Sequence, residues 1–198
     1  MEKPTDLRVV KTQKHIKEAF YELVSEKDFD KITVSDIANR ALINRATFYL
    51  HYQDKYDLLE KIENEVIDQI EAIITEIEID RLHEHMREGM QLPHVSKILH
   101  YVQENTIFFE FIASNNIDPS FFHKMGELMN KTVFEIAKLE SKKTDAIYNK
   151  YIPNINSAIF ISIVSQWIKT GMKESVHEIS MLLSKLAWSS LNMVLQEL

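Results

Sequence analysis

The residues of this 198-residue chain best suited to chemistry lie between Thr33 and Leu59, in the run TVSDIANRALINRATFYLHYQDKYDLL. Arg45, Ala46 and Thr47 are followed by Tyr49, His51 and Tyr52, mixing cationic and hydroxyl donors with a small side chain and aromatic rings. Such a surface is poor core material and suits base edges and phosphates in a DNA major groove. The elements that must position it are legible beside it. Thr33 with Asp36 has the Ser/Thr-x-x-acid form of a helix N-cap, and Ile37, Ala38 and Ala41 continue it as a narrow apolar stripe. Asn44 caps a second helix, expected from Arg45 to Tyr52, and Asp54 with Asp57 starts a third. Two short helices joined at Leu42–Ile43 make a helix-turn-helix.

Thr33, Val34, Ile37, Ala38, Ala41, Ile43, Asn44, Thr47, Tyr49, His51, Tyr52, Lys55 and Leu58 carry a resemblance. The run is similar to the DNA-binding segment of the tetracycline-repressor (TetR/AcrR) family of bacterial transcription regulators. With residues 7–29 in front, the likeness covers about the first third of the chain. Leu42 stands where the family usually has a turn glycine, Asn44 replaces a serine and Tyr52 a phenylalanine. Either the turn does without positive φ, or it holds a non-glycine residue under strain. The segments NNIDPSFF and SQWIKTGMKES resemble regulators of the Gram-positive type. The resemblance implies a TetR-like all-α protein, with a three-helix DNA-binding head at 1–54, a connecting helix at 55–79 and an effector-binding and dimerisation domain at 80–198. It implies a DNA interface of Thr33, Ser35, Asn44, Arg45, Ala46, Thr47, Tyr49, His51 and Lys55. In that reading Thr33, Ser35, Tyr49 and Lys55 hold phosphates, and Arg45, Ala46 and Thr47 face bases.

Composition agrees with an all-helical globular chain: 45% hydrophobic, 27% charged, three glycines and four prolines. Zero cysteines exclude disulfides and thiolate chemistry. The stretch MEKPTDLRVV has no apolar h-region and no apolar run approaches about 18–20 residues, so neither a signal peptide nor a membrane span is expected, and the protein is expected to be cytoplasmic. The net charge of −7 sits awkwardly with DNA until it is divided along the chain. Residues 1–61 hold eleven basic and eleven acidic side chains, and residues 62–198 hold twelve and nineteen, so the acidic excess lies away from the expected DNA face. No phosphate-cradling glycine loop, GxSxG or HExxH is present, and neither an enzyme activity nor a cofactor is expected. His83 and His85, two residues apart, point to different sides of a helix and read as solvated rather than metal-bound.

In chain order, Thr5 or Asp6 caps a first helix reaching about Lys27, with Ile16, Ala19, Phe20, Leu23 and Val24 on one face. Phe20, Leu23, Ile37, Ala41, Phe48 and Tyr52 are the expected core of the head. A long helix follows from Lys55 to about Ile79. Pro93 opens a helix burying Val95, Ile98, Leu99 and Val102; Asp118–Pro119 caps another, carrying Phe121, Phe122, Met125, Leu128 and Met129. Pro153 precedes an apolar helix that Gly171 ends, and Ser175 with Glu178 boxes the start of the last one.

Two functions remain for the C-terminal region. Phe108, Phe109, Ile112, Phe121, Phe122, Met125, Met129 and Trp167 concentrate bulky, soft side chains, which are ordinary core material and also suit a pocket for an apolar or aromatic effector. The last two helices carry more apolar surface than a monomer needs and fit half of a four-helix homodimer interface. The expected function is a one-component repressor on a near-palindromic double-stranded operator, released by a small apolar effector. One rival keeps the fold but makes it an activator controlled by a protein partner. Another is a helical scaffold without DNA binding.

Overall fold

The computed structural model describes residues 7–76, 85, 88–115, 121–128 and 146–195, with backbone alone at 114–115, 146–150, 152–153 and 191–195. Every regular element among the described residues is helical. The chain divides into two compact units, Met1–Val66 and Ile67–Leu198, and the division falls inside one helix.

In the first unit, α1 (Leu7–Glu26) buries Ile16, Ala19, Phe20 and Leu23, the i, i+3, i+4, i+7 stripe of an amphipathic helix. A 3-10 turn at Phe29–Lys31 folds Phe29 back, and its ring meets Phe20 edge-on at 6.1 Å. The short helices α2 (Val34–Arg40) and α3 (Arg45–Tyr49) and the start of α4 (Lys55–Thr75) complete it. All six expected core residues of the head are buried. Arg40, at the end of α2, forks onto both oxygens of Glu26 at 2.9 and 2.7 Å and reaches Glu22 at 2.9 Å, which ties α2 to α1. α3 is shorter than expected. His51 N–H donates to Phe48 O at 2.9 Å, an i→i−3 bond that tightens the last turn, and Tyr52 is buried 5.5 Å from the Phe48 ring.

In the second unit, α5 (Pro93–Glu104) buries the expected Val95, Ile98, Leu99 and Val102. It is followed by α6 (Thr106–Asn115), the helical segment α7 at 121–128, α8 (Ala146–Lys169) and α9 (Val176–Leu195). α8 packs against α6 and α9, and α9 against α5. α8 ends in a Schellman motif: Gly171, at φ +78°, donates to Ile168 O at 2.9 Å and Met172 to Trp167 O at 2.8 Å. The Ser175–Glu178 box is present in both directions, at 2.8 and 3.2 Å. α8 begins ahead of Pro153, contrary to the expected start after it. Proline lacks one donor, and the helix continues through it with one backbone bond fewer. The expected 77–79 end of α4, the Asp118–Pro119 cap, His83 and Met129 lie outside the described residues.

Candidate nucleic-acid interface and C-terminal cavity

The helix-turn-helix is built from its caps. Thr33 Oγ1 accepts from Asp36 N–H at 3.1 Å, while Asp36 Oδ2 accepts from Thr33 N–H and from its hydroxyl, both at 2.8 Å. Lys27 adds an ion pair to the same carboxylate at 3.0 Å. Hydrogen bonding from the Thr33 backbone, then from Lys27, holds the Asp36 carboxyl down at about 2. The Thr33 hydroxyl hydrogen is therefore spent inside the cap. α2 then ends in a second Schellman motif, with Leu42 N–H donating to Asn39 O at 3.1 Å and Ile43 N–H to Ala38 O at 2.9 Å. The left-handed position belongs to Leu42, at φ +56°, so the turn keeps the positive φ and bears the strain of a Cβ.

Asn44 Oδ1 accepts from Ala46 N–H at 2.9 Å and starts α3. Phe48 is buried behind α3, while Arg45, Ala46 and Tyr49 are exposed and Thr47 is half-buried. Arg45 and Tyr49, one turn apart, act on each other: the guanidinium donates to the Tyr49 hydroxyl at 3.1 Å and lies 5.8 Å from its ring centroid. The residues assigned to base reading and phosphate binding thus form one unit. Ser35 is half-buried on α2. His51 is half-buried, and its carbonyl accepts from Lys61 at 3.0 Å.

Lys55 is placed differently from a free surface hook. Its ammonium donates to Phe29 O at 2.8 Å and Asp30 O at 3.1 Å, and sits over the rings of Phe29 and Tyr56. Two of its three N–H donors are committed to the head itself. Leu50, absent from the expected contacts, is 82% exposed just past α3. Its position four residues after Ala46 was the available signal.

In the second unit the aromatic cluster lines a small, partly open apolar cavity of about 30 Å³. Phe109, Ile112, Phe121, Phe122 and Met125 line it. Phe108 and Trp167 are buried but do not line it. Phe108 stacks edge-on against Phe109 and Phe121 at 5.2 and 5.5 Å, and Trp167 Nε1 donates to Glu174 O at 2.9 Å. The other walls include Ile70, Ile98, Val102 and the α8 residues Phe160, Val164 and Ser165; Ile70 and the α8 residues are remote in sequence from the aromatic run. Ser165 brings the polar side chain. Among the described residues no helix is long and apolar enough to cross a membrane, and no cluster of three metal-ligating side chains occurs.

Residues 16–62 match the family model for bacterial regulatory proteins of the tetR family, and residues 91–188 match the model for a transcriptional regulator C-terminal region. The chain is 28% identical over 163 residues, 81% of each chain, to the HTH-type dhaKLM operon transcriptional activator DhaS of Lactococcus lactis. Over 60 residues, 30% of this chain and 16% of the relative, it is 47% identical to the HTH-type transcriptional regulator YxbF of Bacillus subtilis. A TetR transcriptional regulator from Streptococcus agalactiae shares the fold at a TM-score of 0.67, 21% identity and coverage of 92% of this chain and 96% of that one. With one model matching the head and another the C-terminal region, and with an Asn44-capped helix turned outward in the head, the chain belongs to the TetR family of DNA-binding transcriptional regulators.

Proposed function

We propose that α3 enters the major groove of an operator and that Arg45 with Tyr49 forms its polar contact, Arg45 on a base edge and Tyr49 toward the adjoining phosphate. The observation that carries this reading is the outward Arg45–Tyr49 pair on a helix whose rear is plugged by Phe48. Ala46 and Thr47 would complete the base-facing surface. Ser35 and the remaining N–H of Lys55 would hold phosphates. With its hydroxyl hydrogen spent on Asp36, Thr33 would serve as the cap that orders α2. Anisotropy titration of the full chain with DNA upstream of its own gene tests the reading. Arg45→Ala should lose affinity for that DNA, and equal binding by wild type and variant would refute the assignment.

We further propose a homodimer through α8 and α9. Its support is the apolar surface that Tyr151, Ile155 and Leu182 leave exposed. The 1–54 head, the α4 connection and the C-terminal region would then work as a repressor, with the cavity as the effector site. An effector must bind one state more tightly than the other, since equal affinity shifts nothing. A cavity of about 30 Å³ must also widen to admit one, because ligand sites typically measure about 300–1,000 Å³.

That small volume favours a second reading, in which a protein partner controls the C-terminal region and the regulator activates transcription. The relative of 28% identity named as an activator supports the same direction. Reporter assays with the gene deleted separate the two: expression of the target rises if the chain represses and falls if it activates.

A further inference from the structure

We infer that Leu50, with Ala46, reads thymine through its C5-methyl group, so that the centre of the recognition surface is apolar rather than polar. This rests on the proposal that α3 enters the major groove. Counting about 100° per residue, Ala46 and Leu50 lie about 20° to either side of the direction opposite Phe48. Tyr49 and Thr47 lie about 80° from that direction, and Arg45 farther still. Leu50 keeps helical backbone angles, φ −72° and ψ −20°, and its N–H donates to Ala46 O at 3.2 Å, so the count holds through it. Phe48 is fully buried, which fixes the rear of the helix. A helix held from that side presents Ala46 and Leu50 first to whatever it approaches, with the Arg45–Tyr49 pair on one flank.

A leucine 82% exposed on that surface has no polar atom to offer a base or a phosphate. Ala46 adds a methyl and no bulk, which allows close approach. On the floor of the major groove the apolar group that distinguishes base pairs is the thymine methyl; the other distinguishing groups are donors and acceptors. The match is of chemistry and of position. The half-site should therefore hold one or two thymines whose methyls are read, beside a position read by Arg45.

The test deletes the methyl without touching Watson–Crick pairing. The full chain selects its preferred duplex from a random library, and each dT of the selected half-site is then replaced in turn by dU. Wild type should lose affinity about threefold to fivefold at one or two positions, the value of one buried methyl-sized group. Leu50→Ala should bind dT and dU alike at one of those positions. Arg45→Ala should weaken binding but keep the wild-type dT-to-dU ratio there. If no position distinguishes dT from dU, or if Leu50→Ala keeps the wild-type ratio, the inference is overturned. A loss of affinity by Arg45→Ala in either case leaves the groove reading standing, whereas no loss with Arg45→Ala overturns both. The dU series requires no variant, so a folding defect cannot imitate the result.

Discussion

The ammonium of Lys55 lies 4.6 Å from the centroid of the Phe29 ring and donates to the Phe29 carbonyl at 2.8 Å, binding the first residue of α4 to the turn after α1. Charged hydrogen bonds of this kind contribute about 1.5–3 kcal/mol when well shielded. Lys55 is partly exposed, so Lys55→Met should cost about 1–2 kcal/mol in urea denaturation. The proposal that its remaining donor holds a phosphate predicts that the same variant lowers the salt slope of DNA binding by about one. A stability loss with an unchanged slope would leave the anchor and remove the phosphate role.

Arg45 and Tyr49 should fail differently. Arg45→Ala should relax preference at one base position, at about 1–3 kcal/mol of discrimination. Tyr49→Ala should weaken binding to all sequences alike. Tyr49→Phe, which keeps the ring under the guanidinium, should fall between wild type and Tyr49→Ala. Binding to selected and scrambled duplexes, measured side by side, separates these effects.

Leu42 occupies a left-handed position while 92% exposed, so its side chain gives back little packing. A non-glycine residue there costs about 1–2 kcal/mol, part of which glycine returns through unfolded-state entropy. Leu42→Gly should raise stability by about 0.5–1 kcal/mol, read from the denaturation midpoint at constant slope. A lower midpoint would show that Leu42 makes contacts its exposure does not suggest.

His94, the second residue of α5, has its imidazole pushed down to about 4 by burial. The unfolded chain takes up this proton near the ordinary value of about 6.5, so the folded state loses stability as pH falls from there toward 4 and keeps it above. His94→Gln should flatten stability between pH 6.5 and 4 in urea titrations. An unchanged pH profile would refute the assignment.

The dimer proposal predicts that Leu182→Lys, on the exposed side of α9, yields monomers with operator affinity much reduced. The reason is the cost of burying an unpaired charge between subunits. Sedimentation at micromolar concentration reads the outcome, and an unchanged dimer would place the interface elsewhere. The wild-type dimer should protect two half-sites about 34–36 Å apart, or a multiple of that spacing.

The sequence by itself determined the parts of this protein that close within a few residues. The Thr33–Asp36 box, the Asn44 cap, the Gly171 stop and the Ser175–Glu178 box each join groups two to five positions apart, and propensity and hydrogen-bond chemistry specify them locally. The buried stripes of α1 and α5 were equally legible, because helical period converts spacing directly into a face. Tertiary structure decided where two sequence distances meet. Lys55 finds its carbonyls 25 and 26 residues back, which made a surface lysine into an anchor. Ile70, Ile98 and Val164 close around the aromatic run and leave a far smaller space than its bulk suggested, since close packing fills what composition only supplies. Leu42 takes positive φ because the bonds to Ala38 and Asn39 and the packing of α2 and α3 outweigh the local preference of its own backbone.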